Sequence, residues 1–163
     1  MTKPRESTVP PERRPAPAVE ERKLARARRA VATIPPVRVR GVLVVEDDPD
    51  LQWRLARMLT VRGNRVVGTS SAEGALELMR QWPVDLVLVD DSLPGMSGVE
   101  LARIVAREHP DTPVVLMSSE DEGGESAIAA RLAGAVATIA KPFRPEALLE
   151  LLRSFPKGEP ELA

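Results

Sequence analysis

DLVLVDDSLPGMSGVEL, residues 85–101, decides the fold. An aliphatic run ends at two aspartates, and a Leu-Pro-Gly turn then leads into a helix start. The run is too short for a helix and too continuous for a strand with one wet face, so it predicts a strand over Val84–Val89 buried on both sides. Strands of that kind build parallel sheets covered by helices. The helix start is written in Ser97 and Glu100, which have the spacing of a capping box. Strand, carboxylate-bearing loop and helix make one β-then-α unit.

The unit recurs on both sides of this stretch. From Arg40 onward, apolar runs alternate with helix-period segments, and strands are predicted over Gly41–Val45, Arg65–Thr69, Val84–Val89, Val114–Met117 and Val136–Ile139. In the first helix Asp50 is the expected cap, Leu51, Leu55, Met58 and Leu59 form one stripe, and Gly63 is the stop. Ser70 and Glu73 repeat the capping-box spacing ahead of the second helix. The fourth, around Glu125 to Ala133, has an entry loosened by Gly123 and Gly124. The fifth starts near Pro145 and lines up Leu148, Leu149 and Leu152. Right-handed crossovers and short connections fold such a repeat into an open, doubly wound α/β sheet, whose ligands bind beyond the carboxyl ends of the strands.

That rule gathers distant residues into one cleft: Glu46 and Asp47 after the first strand, Asp90 after the third, Ser118 after the fourth and Lys141 after the fifth. Carboxylates suit a hard cation such as magnesium, and an aspartate can act as a nucleophile. A hydroxyl and an ammonium can hold phosphoryl oxygens. The set reads as a phosphorylatable site.

Composition limits the alternatives. A chain of 163 residues fits one ordinary domain with an extension. Cysteine is absent, which removes disulfides, thiol catalysis and thiolate metal sites. With only Trp53, Trp82, Phe143 and Phe155 aromatic, the core must rest on Val, Leu, Ile, Ala and Met. No apolar stretch reaches the ~18 residues of a membrane span, and the N-terminus lacks an apolar leader segment, so a cytoplasmic protein is expected. The net charge of −1 hides two unlike parts: residues 1–40 carry 11 Lys and Arg against 4 Glu, and residues 41–163 carry 12 against 20 acids. Residues 1–36 are expected to be a basic, proline-interrupted tail, disordered or marginally helical, with a folded domain over 37–156 and a short tail over 157–163.

VLVVEDDPD, DLVLVDDSLPGMSGVEL, TPVVLMSS and IAKPF, in this order and at these distances, resemble the receiver domain of bacterial two-component response regulators across residues 41 to about 155. The resemblance implies a flavodoxin-like, five-stranded parallel sheet of order 2-1-3-4-5 with five helices. It makes Asp90 the phosphoacceptor, because Leu93, Pro94 and Gly95 stand third to fifth after it. Asp91 is the rival, but alternation along a strand sends the two side chains in different directions. Glu46, Asp47, Asp90 and the backbone carbonyl of Ser92 are implied to hold Mg2+. Three converging carboxylates repel one another unless cations answer them, and the metal and Lys141 do so. Ser118 takes the place of the switch hydroxyl, and Lys141-Pro142 that of the family's Lys-Pro element, for which a cis bond is expected. Thr138 departs from the pattern, which usually has an aromatic residue there, so the usual signal to the surface is expected to be weakened or replaced. Ser92 and Glu120 lie where the family sets the lifetime of the phosphoryl group.

The expected function is that of a single-domain response regulator, since only PKGEPELA follows Phe155. It would accept a phosphoryl group on Asp90 from a histidine kinase or phosphotransfer protein and signal through an unidentified downstream protein. It is expected not to be an enzyme beyond promoting its own phosphotransfer and dephosphorylation. Nucleic acid is not expected as a partner except through the charge of the basic tail, which lacks interleaved aromatics and a recognition-helix pattern. One alternative is a pseudo-receiver that binds partners without phosphorylation. Another is a phosphohydrolase with Asp48 as nucleophile in the Asp48-Pro49-Asp50 motif, against which stand a missing hydroxyl residue and a missing cap insertion. His109 reads as a helix end, and Trp53, off the apolar stripe, is expected to pack against the fifth helix.

Overall fold

The computed structural model describes residues 41–121 and 123–155. The expected tails over 1–36 and 157–163 lie outside them. Five strands alternate with five helices: β1 (Gly41–Val45), α1 (Pro49–Thr60), β2 (Arg65–Thr69), α2 (Ala72–Gln81), β3 (Leu86–Asp90), α3 (Gly98–Glu108), β4 (Val114–Ser118), α4 (Glu125–Ala133), β5 (Ala137–Ala140) and α5 (Pro145–Arg153). The strands form one parallel sheet of order β2-β1-β3-β4-β5, as the family resemblance implied.

β1, β3 and β4 are buried along their whole length because helices cover both faces. On one face Leu43, Val45, Val87, Val89 and Leu116 pack against α2, α3 and α4 through Ala75, Leu101, Val105 and Ala130. On the other, Val42, Val44, Leu86, Leu88, Val115, Met117 and Ile139 meet Leu55 and Leu59 of α1 and Leu148 and Leu152 of α5. Edge strands β2 and β5 are only partly buried.

Several boundaries move toward the carboxyl ends. β3 begins at Leu86 instead of Val84, because Val84 O is taken by the Thr112 hydroxyl and Asp85 is tied to Gly41, with its carboxylate accepting the Gly41 N–H at 2.6 Å. It ends at Asp90, which pairs with Met117. β4 runs on to Ser118, and β5 covers Ala137–Ala140, leaving Val136 outside the strand and 52 % exposed. Asp90 and Ser118 therefore sit inside the ladder, where backbone pairing fixes them.

Helix starts differ too. α1 is capped by Asp48, not Asp50: Pro49 takes the first helical position, and the Asp48 carboxylate accepts the N–H groups of Asp50 and Leu51. α2 is capped by Ser71, not Ser70, and Glu73 instead accepts the Met96 N–H, tying α2 to the β3–α3 loop. At α3 the Ser97–Glu100 capping box is complete. α4 ends on Gly134 at φ 105°, a left-handed position suited to glycine. Trp53, expected to pack against α5, is 61 % exposed, with the Arg57 guanidinium 5.4 Å from its ring centre.

Candidate functional site

The carboxyl ends of β1, β3, β4 and β5 meet at one rim. Glu46 follows β1, and its N–H is held by Thr69 O of β2. Gln52 of α1 donates to both Glu46 O and Thr69 O at 2.9 Å, fastening the β1–α1 loop to the neighbouring strand end. Asp90 closes β3, and Lys141 follows β5 with its N–H bonded to Ser118 O at 2.6 Å. The Lys141–Pro142 peptide is cis.

Carboxylate oxygens of Glu46, Asp47 and Asp90 lie within 4.8 Å of one another. Glu46 and Asp90 are buried and Asp47 is exposed, so the cluster opens to solvent on one side. The Lys141 ammonium bridges the two buried members, at 3.1 Å from Glu46 Oε2 and 2.7 Å from Asp90 Oδ1. Burial pushes the Glu46 carboxyl above its ordinary value, against the lowering effects of the Asp48 N–H and Lys141. Burial likewise works to depress Lys141, but the Asp90 and Glu46 carboxylates outweigh it and hold the ammonium above its ordinary value. Lys141 stays charged at neutral pH.

One ammonium cannot neutralise three carboxylates. Asp90 Oδ1 is buried, and the ammonium meets it as an ion pair without a well-aligned hydrogen bond. Charge and lone pairs are left over, and the donors are all hard oxygens, a set that fits a divalent cation of the magnesium and calcium class.

The remaining candidates make contacts of their own. Asp91 turns away from it: Asp91 Oδ2 accepts the Ser118 hydroxyl at 2.7 Å, and Asp91 Oδ1 accepts the Ser92 hydroxyl at 3.1 Å. Ser118 Oγ in turn accepts the Glu120 N–H at 3.1 Å. The Glu120 carboxylate accepts the Ser126 N–H at 3.0 Å and so caps α4, whose N-cap residue, Gly124, has no side chain to do it. Thr138 sits mid-β5 beside Leu116, half-buried. Asp48 is occupied as the α1 cap, and His109 ends α3 with its N–H on Val105 O.

Three contributors were not singled out from the sequence. Gln52 looks like any polar helix residue, since its two acceptors lie in other segments. The sequence marks Asp91 only as a rival acceptor, not as a partner of Ser118. Gly98 opens α3 so close to the Asp90 carbonyl that a Cβ would collide with the backbone there; a glycine ahead of a Glu in a capping box was the signal.

A family model, the response regulator receiver domain, matches residues 42–153. The response regulator protein FleR of Pseudomonas aeruginosa is 35 % identical over 118 residues, covering 72 % of this chain and 25 % of the relative. The transcriptional regulatory protein KdpE of Mycobacterium tuberculosis is 34 % identical over 113 residues, covering 69 % of this chain and 49 % of the relative. The chain thus spans between a quarter and a half of these relatives. Among solved structures, the BeF3-activated DrrB receiver domain has a TM-score of 0.64 at 29 % identity, covering 71 % of this chain and 95 % of that one. The chemotaxis protein CheY4 of Vibrio cholerae has a TM-score of 0.66 at 26 % identity, covering 71 % and 97 %.

Proposed function

The chain belongs to the response regulator receiver domain family, and from that premise we propose that it takes a phosphoryl group onto Asp90 from the phosphohistidine of a histidine kinase or phosphotransfer protein. The observation that carries this reading is the pair of contacts from Lys141 to Glu46 and Asp90 inside a carboxylate cluster that fits a divalent cation. Glu46, Asp47, Asp90 and the Ser92 carbonyl are the residues that would hold Mg2+. When bound, it would supply positive charge to phosphoryl oxygens during transfer.

The chain's own residues do the rest. An Asp90 carboxylate oxygen attacks phosphorus, a P–O bond forms as the P–N bond of the donor breaks, and the imidazole leaves with the electron pair. Lys141, already 2.7 Å from Asp90, is placed to stabilise equatorial oxygens without moving far. Burial of Asp90 between paired strands limits its freedom, so the reaction draws on positioning more than on proton transfer. Hydrolysis of the acyl phosphate by water returns the resting form, with Ser92 and Glu120 at the positions that set its rate.

Its output would pass through protein contact, in the cytoplasm where kinases load their histidine from ATP. Among the described residues no helix is long and apolar enough to cross a membrane. The test is incubation with acetyl phosphate and magnesium followed by mapping of the modified residue. Label on Asp90, lost in Asp90→Ala, is the expected result. Undiminished magnesium-dependent uptake in that variant moves the acceptor elsewhere, and no uptake by the unaltered chain favours a phosphorylation-independent binding module.

A further inference from the structure

Ser118 has one hydroxyl proton, and Asp91 holds it. The 2.7 Å contact to Asp91 Oδ2 is a full hydrogen bond from the hydroxyl to a carboxylate acceptor. Ser118 is 2 % exposed, so water does not compete for that proton. The acceptor is fixed as well: Asp91 N–H donates to Met117 O at 3.0 Å, Asp91 O accepts the Gly98 N–H at 3.4 Å, and the Ser92 hydroxyl engages the other carboxylate oxygen. The hydroxyl therefore points to the second aspartate of the pair, while Lys141 and Glu46 gather around the first.

We propose that Asp91 is a positioning residue that keeps the Ser118 hydroxyl away from Asp90, so that a phosphoryl group on Asp90 must compete with the Asp91 carboxylate for that proton. The inference rests on Asp90 being the acceptor. It accounts for a charged side chain directly after the acceptor, where the end of β3 offers a half-buried position. Asp91 raises the threshold for switching. Because Ser118 Oγ also accepts the Glu120 N–H, release from Asp91 carries the β4–α4 loop with it.

Beryllofluoride with magnesium, titrated into the full chain, reads this competition. Asp91→Ala leaves the hydroxyl free and is expected to bind about tenfold tighter, which corresponds to the loss of one hydrogen bond to a charged group. Asp91→Leu, similar in size to the native side chain, serves if the smaller residue does not fold. Asp91→Asn removes the charge but keeps an acceptor oxygen, and is expected to stay within about threefold of the unaltered chain. In a Ser118→Ala background the Asp91→Ala gain is expected to vanish, because the two residues act through one bond.

Three results overturn the inference: no gain in either apolar variant, an equal gain in Asp91→Asn, which would indicate charge relief alone, or a gain that survives without the Ser118 hydroxyl. If the unaltered chain binds no beryllofluoride, the acceptor reading falls and this inference with it. If it binds and Asp91 substitution changes nothing, only the role of Asp91 falls.

Discussion

Asp90 and Asp91 are neighbours in sequence and opposites in surroundings. The first faces a pocket of carboxylates crossed by an ammonium, and the second faces a loop of hydroxyls that leads to α4. Strand alternation separates them, since successive side chains at the end of β3 leave on opposite sides. The carboxylate is the same in both, so chemistry is assigned by what the neighbouring strand ends bring to each side. β1 and β5 supply charge to Asp90; β4 supplies a hydroxyl to Asp91. On the reading proposed above, the pocket would meet incoming phosphoryl oxygens and the loop would respond to them.

The sharpest way to break this division is Lys141→Ala. If the ammonium belongs only to the Asp90 side, its loss should slow phosphorylation by acetyl phosphate about a hundredfold, in line with removal of one preorganised charge donor. Magnesium binding should persist, because the three carboxylates remain, and the Ser118 hydroxyl should stay on Asp91. Magnesium affinity is read from titration, the rate from incorporated phosphate. An unchanged rate would take Lys141 out of the reaction.

The two sides were not equally legible in the sequence. The Asp90 side could be read because each of its members follows a long apolar run. A buried parallel strand announces itself by continuous Val and Leu, and the sheet topology then says where its end must lie. Glu46, Asp90 and Lys141 each follow such a run. The hydroxyl side depends on contacts across 27 residues between Asp91 and Ser118, and on a turn that aims Glu120 at α4, neither of which leaves a periodic trace. The same limit explains the strand ends: Val136 has every local credential of a strand residue, but the edge position of β5 leaves it exposed. At α1 the cap lies at Asp48 and not at the expected Asp50, because Pro49 takes the first helical position.

Glu46→Gln sharpens the comparison from the stability side. Burial raises the Glu46 carboxyl above its ordinary value, so the fold prefers the neutral acid. The stability that this preference gives is fully present below about pH 4 and is lost as pH rises through the raised value. At neutral pH the metal-free protein therefore carries the cost of a buried charge that glutamine would not. With a chelator at pH 7, Glu46→Gln should melt at a higher temperature than the unaltered chain. The difference should close as pH falls toward 4. Added magnesium should stabilise the variant less than the unaltered chain. A lower melting temperature at pH 7 would mean that the Lys141 bridge outweighs the burial of Glu46.

The smallest effect belongs to the hydroxyl side. Glu120 accepts the Ser126 N–H at the start of α4, where Gly124 gives no side-chain cap and the helix carries its positive end. Glu120→Ala should cost about 0.5 kcal/mol and leave the carboxylate cluster untouched, because the Glu120 carboxylate is engaged at α4 and its link to Ser118 runs through the backbone N–H, which the substitution keeps. Amide exchange is the measurement that isolates it. Faster exchange confined to the first turn of α4, with β3 and α3 unchanged, is expected. The same loop joins Ser118 to α4, through the Glu120 N–H on Ser118 Oγ and the Glu120 carboxylate on the Ser126 N–H. If exchange in α4 is unaltered, the carboxylate of Glu120 is not what joins the hydroxyl side to the helix, and the link must run through the backbone alone.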